Sequence, residues 1–161
     1  MSRTFFGVYR GRVESNVDPM TRGRVQVSVP AVLGGGRLAW AEPCVPYAGS
    51  QVGLFAVPPV GASVWVQFEG GDPDYPVLAG CFWGEGESPA PGPPQVVMFA
   101  TDGITVTAST FPGAEELTIE VGAAAKIVLG PTGIELSNGT GSSIKLEGAT
   151  VSINNGALDV T

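Results

Sequence analysis

From Lys126 to Asn154 the chain reads KIVLGPTGIELSNGTGSSIKLEGATVSIN. Within each short run apolar residues stand at i and i+2, with Thr, Glu, Ser or Lys between them, and each run ends in Gly or Asn. Period two marks a strand with one apolar face, and Gly and Asn are corner formers. The pattern continues in both directions, through GITVTA (103–108) and ELTIEVG (116–122) before it and ALDVT (157–161) after it. The leading apolar residues Ile127, Ile134, Ile144, Val151 and Leu158 lie 7, 10, 7 and 7 positions apart. A strand-and-corner repeat of this period predicts a β-solenoid rather than a hairpin barrel.

Such strands are poor in material for a core. Residues 96–161 contain no Trp or Tyr, and their Phe residues are Phe99 and Phe111. A single chain of this size cannot close a core on one thin aliphatic face per strand, so a second layer is required. Identical copies are the simplest source, and three of them form a triangular prism in which every edge is paired. The expectation is an intertwined trimeric β-helix over 96–161. Its core would be Ile119, Val121, Ile127, Leu129, Ile134, Leu136, Ile144, Leu146, Val151 and Ile153.

Upstream lies GEGESPAPGPPQ (84–95), with prolines at 89, 91, 93 and 94. It cannot propagate helix or central strand and reads as a semi-rigid linker. Before it, residues 1–83 read as short strands joined by turns. FFGVYRGRVES (5–15) alternates, and NVDPMTRG (16–23) turns on Asp18-Pro19 and Gly23. RVQVSVP (24–30) puts Val25, Val27 and Val29 on one face, and ASVWVQFEG (62–70) does the same for Val64, Val66 and Phe68. Further strands are expected near Leu38–Ala41 and over VLAGCFWG (77–84). With no helical period in this half, the expected fold is a small all-β barrel.

Composition limits the function classes. Charged residues are 14 % and aromatics 8 % of the 161, while Gly (24) and Pro (14) are abundant. Net charge is −7, split −2 through Gln95 and −5 beyond it. Phosphate backbones need clustered cations, so no nucleic-acid partner is expected. The Arg group (Arg3, Arg10, Arg12, Arg22, Arg24) is interleaved with acids and reads as surface pairing or contacts with protein neighbours. The absence of His removes the commonest general base and metal ligand and leaves Ser and Cys without an activating partner. No catalytic residues, metal ligands or cofactors are therefore assigned.

Glu69, Asp72 and Asp74 have too few oxygen ligands at set spacing for a calcium loop and read as a solvated turn. LGGGRL (33–38) lacks the Lys-Ser/Thr of a phosphate loop. Trp40, Trp65 and Trp83 read as core anchors of the barrel. Cys44 and Cys81 read as two buried thiols, with a disulfide left open. No apolar run is long enough to span a bilayer, and MSRTFFGVYRGR lacks a signal-peptide core, so a soluble product made in the cytoplasm is expected.

The residues of the first half carry a resemblance. Gly11, Val13, Asp18-Pro19, GRVQVSVP (23–30), WAEP (40–43), YAG (47–49), Gly53 and PPVGASVWVQFEGGDPDYPVLAG (58–80) resemble the OB-fold of contractile-injection spikes. These are phage baseplate assembly protein V, the VgrG proteins of type VI secretion and tailocin spikes. INNGALDVT (153–161) is similar to the ends of their needles. The resemblance spans nearly the whole chain and implies an OB-fold barrel (1–83), a linker (84–95) and a homotrimeric β-prism needle (96–161).

It further implies a structural role in a virion or injection particle. The spike would cap the tube, contact tube, hub and baseplate proteins through the barrel, touch the target membrane transiently and pierce the envelope. A PAAR-type tip protein would dock on Asn154, Asn155, Gly156, Leu158, Val160 and Thr161. The sequence departs from the pattern in having no lysozyme domain between barrel and needle, no His for a metal-bound apex and no large hub domain before the barrel. The competing reading is a trimeric adhesin or glycan-binding fibre with the barrel as its recognition module.

Overall fold

The computed structural model describes residues 3–90 and 92–160, with Asp159 described by its backbone alone. The chain divides at Glu87/Ser88 into two compact units. The first is built from Tyr9–Ser15 (β1), Val25–Ser28 (β2), the helical turn Pro30–Leu33 (α1), Leu38–Pro43 (β3), the short hairpin Ala48–Gly49 (β4) and Val52–Gly53 (β5), Ser63–Phe68 (β6) and Pro76–Phe82 (β7). β1, β2, β3, β7 and β6 close in that order into a five-stranded barrel. All its pairings are antiparallel except β3 with β7.

Alternation decides what fills the barrel. Val13, Val25, Val27, Val29, Ala41, Val64 and Val66 are fully buried, with Phe68, Leu78 and Leu33 nearly so. β-branched side chains stand well on a pleated, half-buried surface, and here they are the core. Gly11 allows two strands to approach, because a Cβ there would lie 2.9 Å from the Ser28 carbonyl oxygen. Phe5, Tyr9 and Phe68 form an aromatic cluster with ring centres 5.7–6.4 Å apart.

Three expectations for this half are corrected. A helical turn, α1, is present: Pro30 opens it, where a missing N–H costs nothing, and Leu33 enters the core. The tryptophans are not core anchors. Trp40 and Trp65 lie on the outer positions of β3 and β6, half-buried, and Trp83 is 66 % exposed. Strand phase decides it, since Ala41 on β3 and Val64 and Val66 on β6 take the inward positions beside them. The two thiols are free and exposed rather than buried.

The second unit is one eight-stranded antiparallel sheet with its strands in chain order. They are Val96–Ala100 (β8), Ile104–Ser109 (β9), Glu116–Val121 (β10), Ala125–Gly130 (β11), Gly133–Ser137 (β12), Ser143–Glu147 (β13), Thr150–Ile153 (β14) and Leu158–Val160 (β15). Within one chain the connectivity is therefore a hairpin meander and not solenoid coils. Loop length is the reason. Pro131–Thr132 and Gly148–Ala149 are two-residue loops, with Gly148 at φ 59°, and so short a loop returns the chain antiparallel beside itself.

Candidate trimerisation face

The register of the sheet gathers the alternating apolar residues into two continuous rows. In the first, Phe99, Val106, Ile119, Ile127, Leu136, Ile144, Ile153 and Leu158 stand opposite one another from β8 to β15. In the second, Val97, Ala108, Leu117, Leu129, Ile134, Leu146, Val151 and Val160 do the same. The rows are two residues apart on every strand, so they share one face of the sheet. Val121 lies on the same face beside the first row, opposite Ile104 and Ala125.

The opposite face carries Thr107, Thr118, Val128, Glu135, Lys145 and Ser152 in register. Two cross-strand ion pairs belong to it, Lys126–Glu120 at 3.7 Å and Lys145–Glu135 at 3.6 Å. Both are half exposed, and such pairs contribute little to stability.

Burial runs against hydrophobicity. In β11, β12 and β13 the residues of the two apolar rows are the exposed ones, and Lys126, Val128, Glu135 and Lys145 between them are half-covered. Ile127, Leu129, Ile134, Leu136, Ile144 and Leu146 each leave 36–41 % of their surface in water. Among the described residues of this unit, Thr118 is the single buried one. A monomeric soluble domain rarely shows so long a contiguous apolar patch, and one of this kind marks an interaction surface.

All ten residues expected in the trimer core lie on this face, nine of them in the two rows and Val121 alongside. Val97, Phe99, Ile104, Val106 and Leu117 join the ten on this face, and the same i, i+2 alternation identifies them. Of the residues expected at the tip, Leu158 and Val160 are the last members of the two rows. Asn154 and Asn155 turn the chain between β14 and β15 in the left-handed region, at φ 52° and 54°. Asn154 Oδ1 accepts the Ser143 N–H at 3.0 Å. Thr161 lies outside the described residues.

The remaining polar groups serve the barrel. Asp18 accepts the backbone N–H of Met20 and Arg22 and the guanidinium of Arg24, which holds its carboxyl well below the usual carboxylate range. Arg22 pairs with Glu42 at 3.0 Å, and Arg10 lies over the rings of Trp65 and Phe82. Asp72 closes its own turn by accepting the Asp74 N–H, and Asp74 pairs with Arg37. Among the described residues no group of three or more Cys, Asp or Glu is placed to hold a metal ion. Among the described residues no helix is long and apolar enough to cross a membrane.

Residues 9–83 match the type VI secretion system/phage-baseplate injector OB domain. Residues 95–159 match the phage baseplate V C-terminal trimerisation domain. No curated protein matches the chain. The first match covers the closed barrel, and the second covers the sheet whose apolar face is uncovered in one chain. With an injector OB domain followed directly by its own trimerisation domain, the chain belongs to the phage baseplate V family of baseplate spike proteins.

Proposed function

We propose that three copies close their apolar faces around a common axis into a triangular prism, and that this prism is the needle of a contractile injection apparatus. The observation that carries the reading is the inverted burial of β11–β13, where the side chains of the two apolar rows are the ones left in water. Removing such half-exposed side chains from water is worth about 1 kcal/mol each, and two rows per copy supply enough of them to offset the cost of association.

The dimensions favour three copies. Strands of 5–6 residues are about 17–20 Å long, and a triangle of that side has its centre about 5 Å from each wall. That is half the ~10 Å at which sheets pack face to face. Eight strands spaced by about 4.8 Å make a prism about 35 Å long.

The mechanism is mechanical. The family gives the chain a structural role in the baseplate of a virion or injection particle. In our reading the protein is made in the cytoplasm, joins hub and tube proteins through the barrel and caps the tube. Contraction then drives the prism into the target envelope. Three sheets joined along their faces must separate before the needle bends, which makes unfolding slow as well as costly. The outer face is polar and carries few cations, so a bilayer neither stabilises it nor holds it, and entry has to be forced. A separate PAAR-type tip protein covers the open end of the rows at Leu158 and Val160. This role requires no catalysis and no cofactor.

Light scattering on the purified chain tests the reading. A particle of three times 16.4 kDa that survives dilution is expected. A well-folded 16.4 kDa species would remove both prism and needle.

A further inference from the structure

A ring of three cannot be built from one patch meeting itself. Self-complementary contacts belong to twofold axes, and a threefold ring needs two different surfaces that meet head to tail. The apolar face of the sheet has two such halves. Beside the Ile127 row the surface sinks into a groove of about 550 Å³. Its floor includes Ile127, Leu136 and Ile144, and its wall includes Asn138, Ser143 and Asn154. No member of the Leu129 row lines it.

The wall is held in shape. Asn138 Oδ1 accepts the N–H groups of Thr140 and Ser142, both at 3.0 Å, and Asn154 Oδ1 accepts that of Ser143. Gly139 fits tightly against the neighbouring turn, because a Cβ there would lie 2.5 Å from the Ala124 carbonyl oxygen. The charged residue at the rim, Lys126, is already paired with Glu120.

We infer that the groove beside the Ile127 row of one copy receives the Leu129 row of the next copy, three times around the axis. Leu129, Ile134 and Leu146 are the entering side chains, and the contact is apolar on both sides. The arrangement rests on the three-copy reading above and adds which surfaces meet. It also rests on the match of the groove-bearing segment to a trimerisation domain.

Disulfide capture in the full chain, with Cys44→Ser and Cys81→Ser as background, tests it. The first variant carries Ile144→Cys with Leu146→Cys, one residue from each row on β13; the second carries Ile127→Cys with Leu129→Cys on β11. Residues at i and i+2 of a strand stand about 7 Å apart, too far to bridge each other, so any bond joins two copies. Oxidation is expected to convert each double variant to a covalent trimer on a denaturing gel, while each single variant stays at the monomer position.

Covalent dimers from single variants would show like rows meeting and overturn the inference. So would absence of capture at both positions while the unmodified chain runs at three times 16.4 kDa. An unmodified chain that runs as a monomer would instead defeat the three-copy reading itself, and the seam with it.

Discussion

Arg24 grips Asp18 with two nitrogens, Nη2 lying 2.8 Å from Oδ1 and Nε 3.2 Å from Oδ2. The carboxylate side chain is 3 % exposed, and it also accepts the N–H groups of Met20, Arg22 and Arg24. One side chain therefore organises the whole β1–β2 turn, and Arg24 lies over the Trp40 ring from the other side.

The consequence for acid stability has a definite sign. The Arg24 hydrogen bond, with help from the backbone N–H groups, lowers the Asp18 pKa in the folded state, against the opposing effect of desolvation. A lowered folded pKa gives stability that is complete above the ordinary carboxylate value, about 3.9, and is lost as pH falls from there toward the folded value. Asp18→Asn should lower the urea midpoint of the barrel at pH 7, and the gap to the parent should shrink steadily below about pH 4. Tryptophan fluorescence reads it cleanly, since all three tryptophans, Trp40, Trp65 and Trp83, belong to the barrel unit.

Neighbouring residues of β12 should respond in opposite ways. Ile134→Asp places one carboxylate per copy in the apolar stripe, where burial of an unpaired charge costs several kcal/mol. The expected result is a 16.4 kDa species by light scattering with unchanged tryptophan emission from the barrel. Glu135→Gln, on the other face, breaks the exposed pair with Lys145 and should leave the oligomer intact and its stability within about 0.5 kcal/mol.

Gly11→Ala should destabilise the barrel by about 1–3 kcal/mol, because the added methyl meets the Ser28 backbone rather than a movable side-chain end. Denaturant unfolding followed by fluorescence measures this. The trimer mass at low denaturant should not change.

Both thiols should react with a disulfide reagent in the folded protein. Cys81 should be the slower at a given pH, since partial burial raises its pKa and lowers its thiolate fraction. Comparing Cys44→Ser with Cys81→Ser assigns the two rates. Reaction only after unfolding would restore the buried-thiol expectation.

What could be read from the residues followed the strength of their periodicity. Val25, Val27 and Val29, and Val64, Val66 and Phe68, alternate strictly, and they are the barrel core. Trp40 and Trp65 alternate just as strictly but onto the outer face. Size alone suggested anchors, whereas the phase of the strand put them outside. In the second unit the apolar face was legible from Ile127 to Ile153, but the path between strands was not. A corner and a hairpin look alike in composition, and the two-residue length of Pro131–Thr132 and Gly148–Ala149 was the deciding signal. The groove wall was invisible to periodicity, because Asn138, Ser143 and Asn154 come together only through the antiparallel register.

The open stripe also governs the life of the chain before assembly. A newly made copy has an adhesive face two side chains wide, and β8 and β15 each offer a further strand edge with unpaired backbone groups. Encounters with other copies are then a race between the correct ring and indiscriminate clumping, and the outcome depends on how many chains are made at once. Slow expression at modest temperature should give a higher soluble yield than strong induction, while the isolated barrel, whose valine core is already enclosed and which carries no such continuous stripe, should depend less on dose.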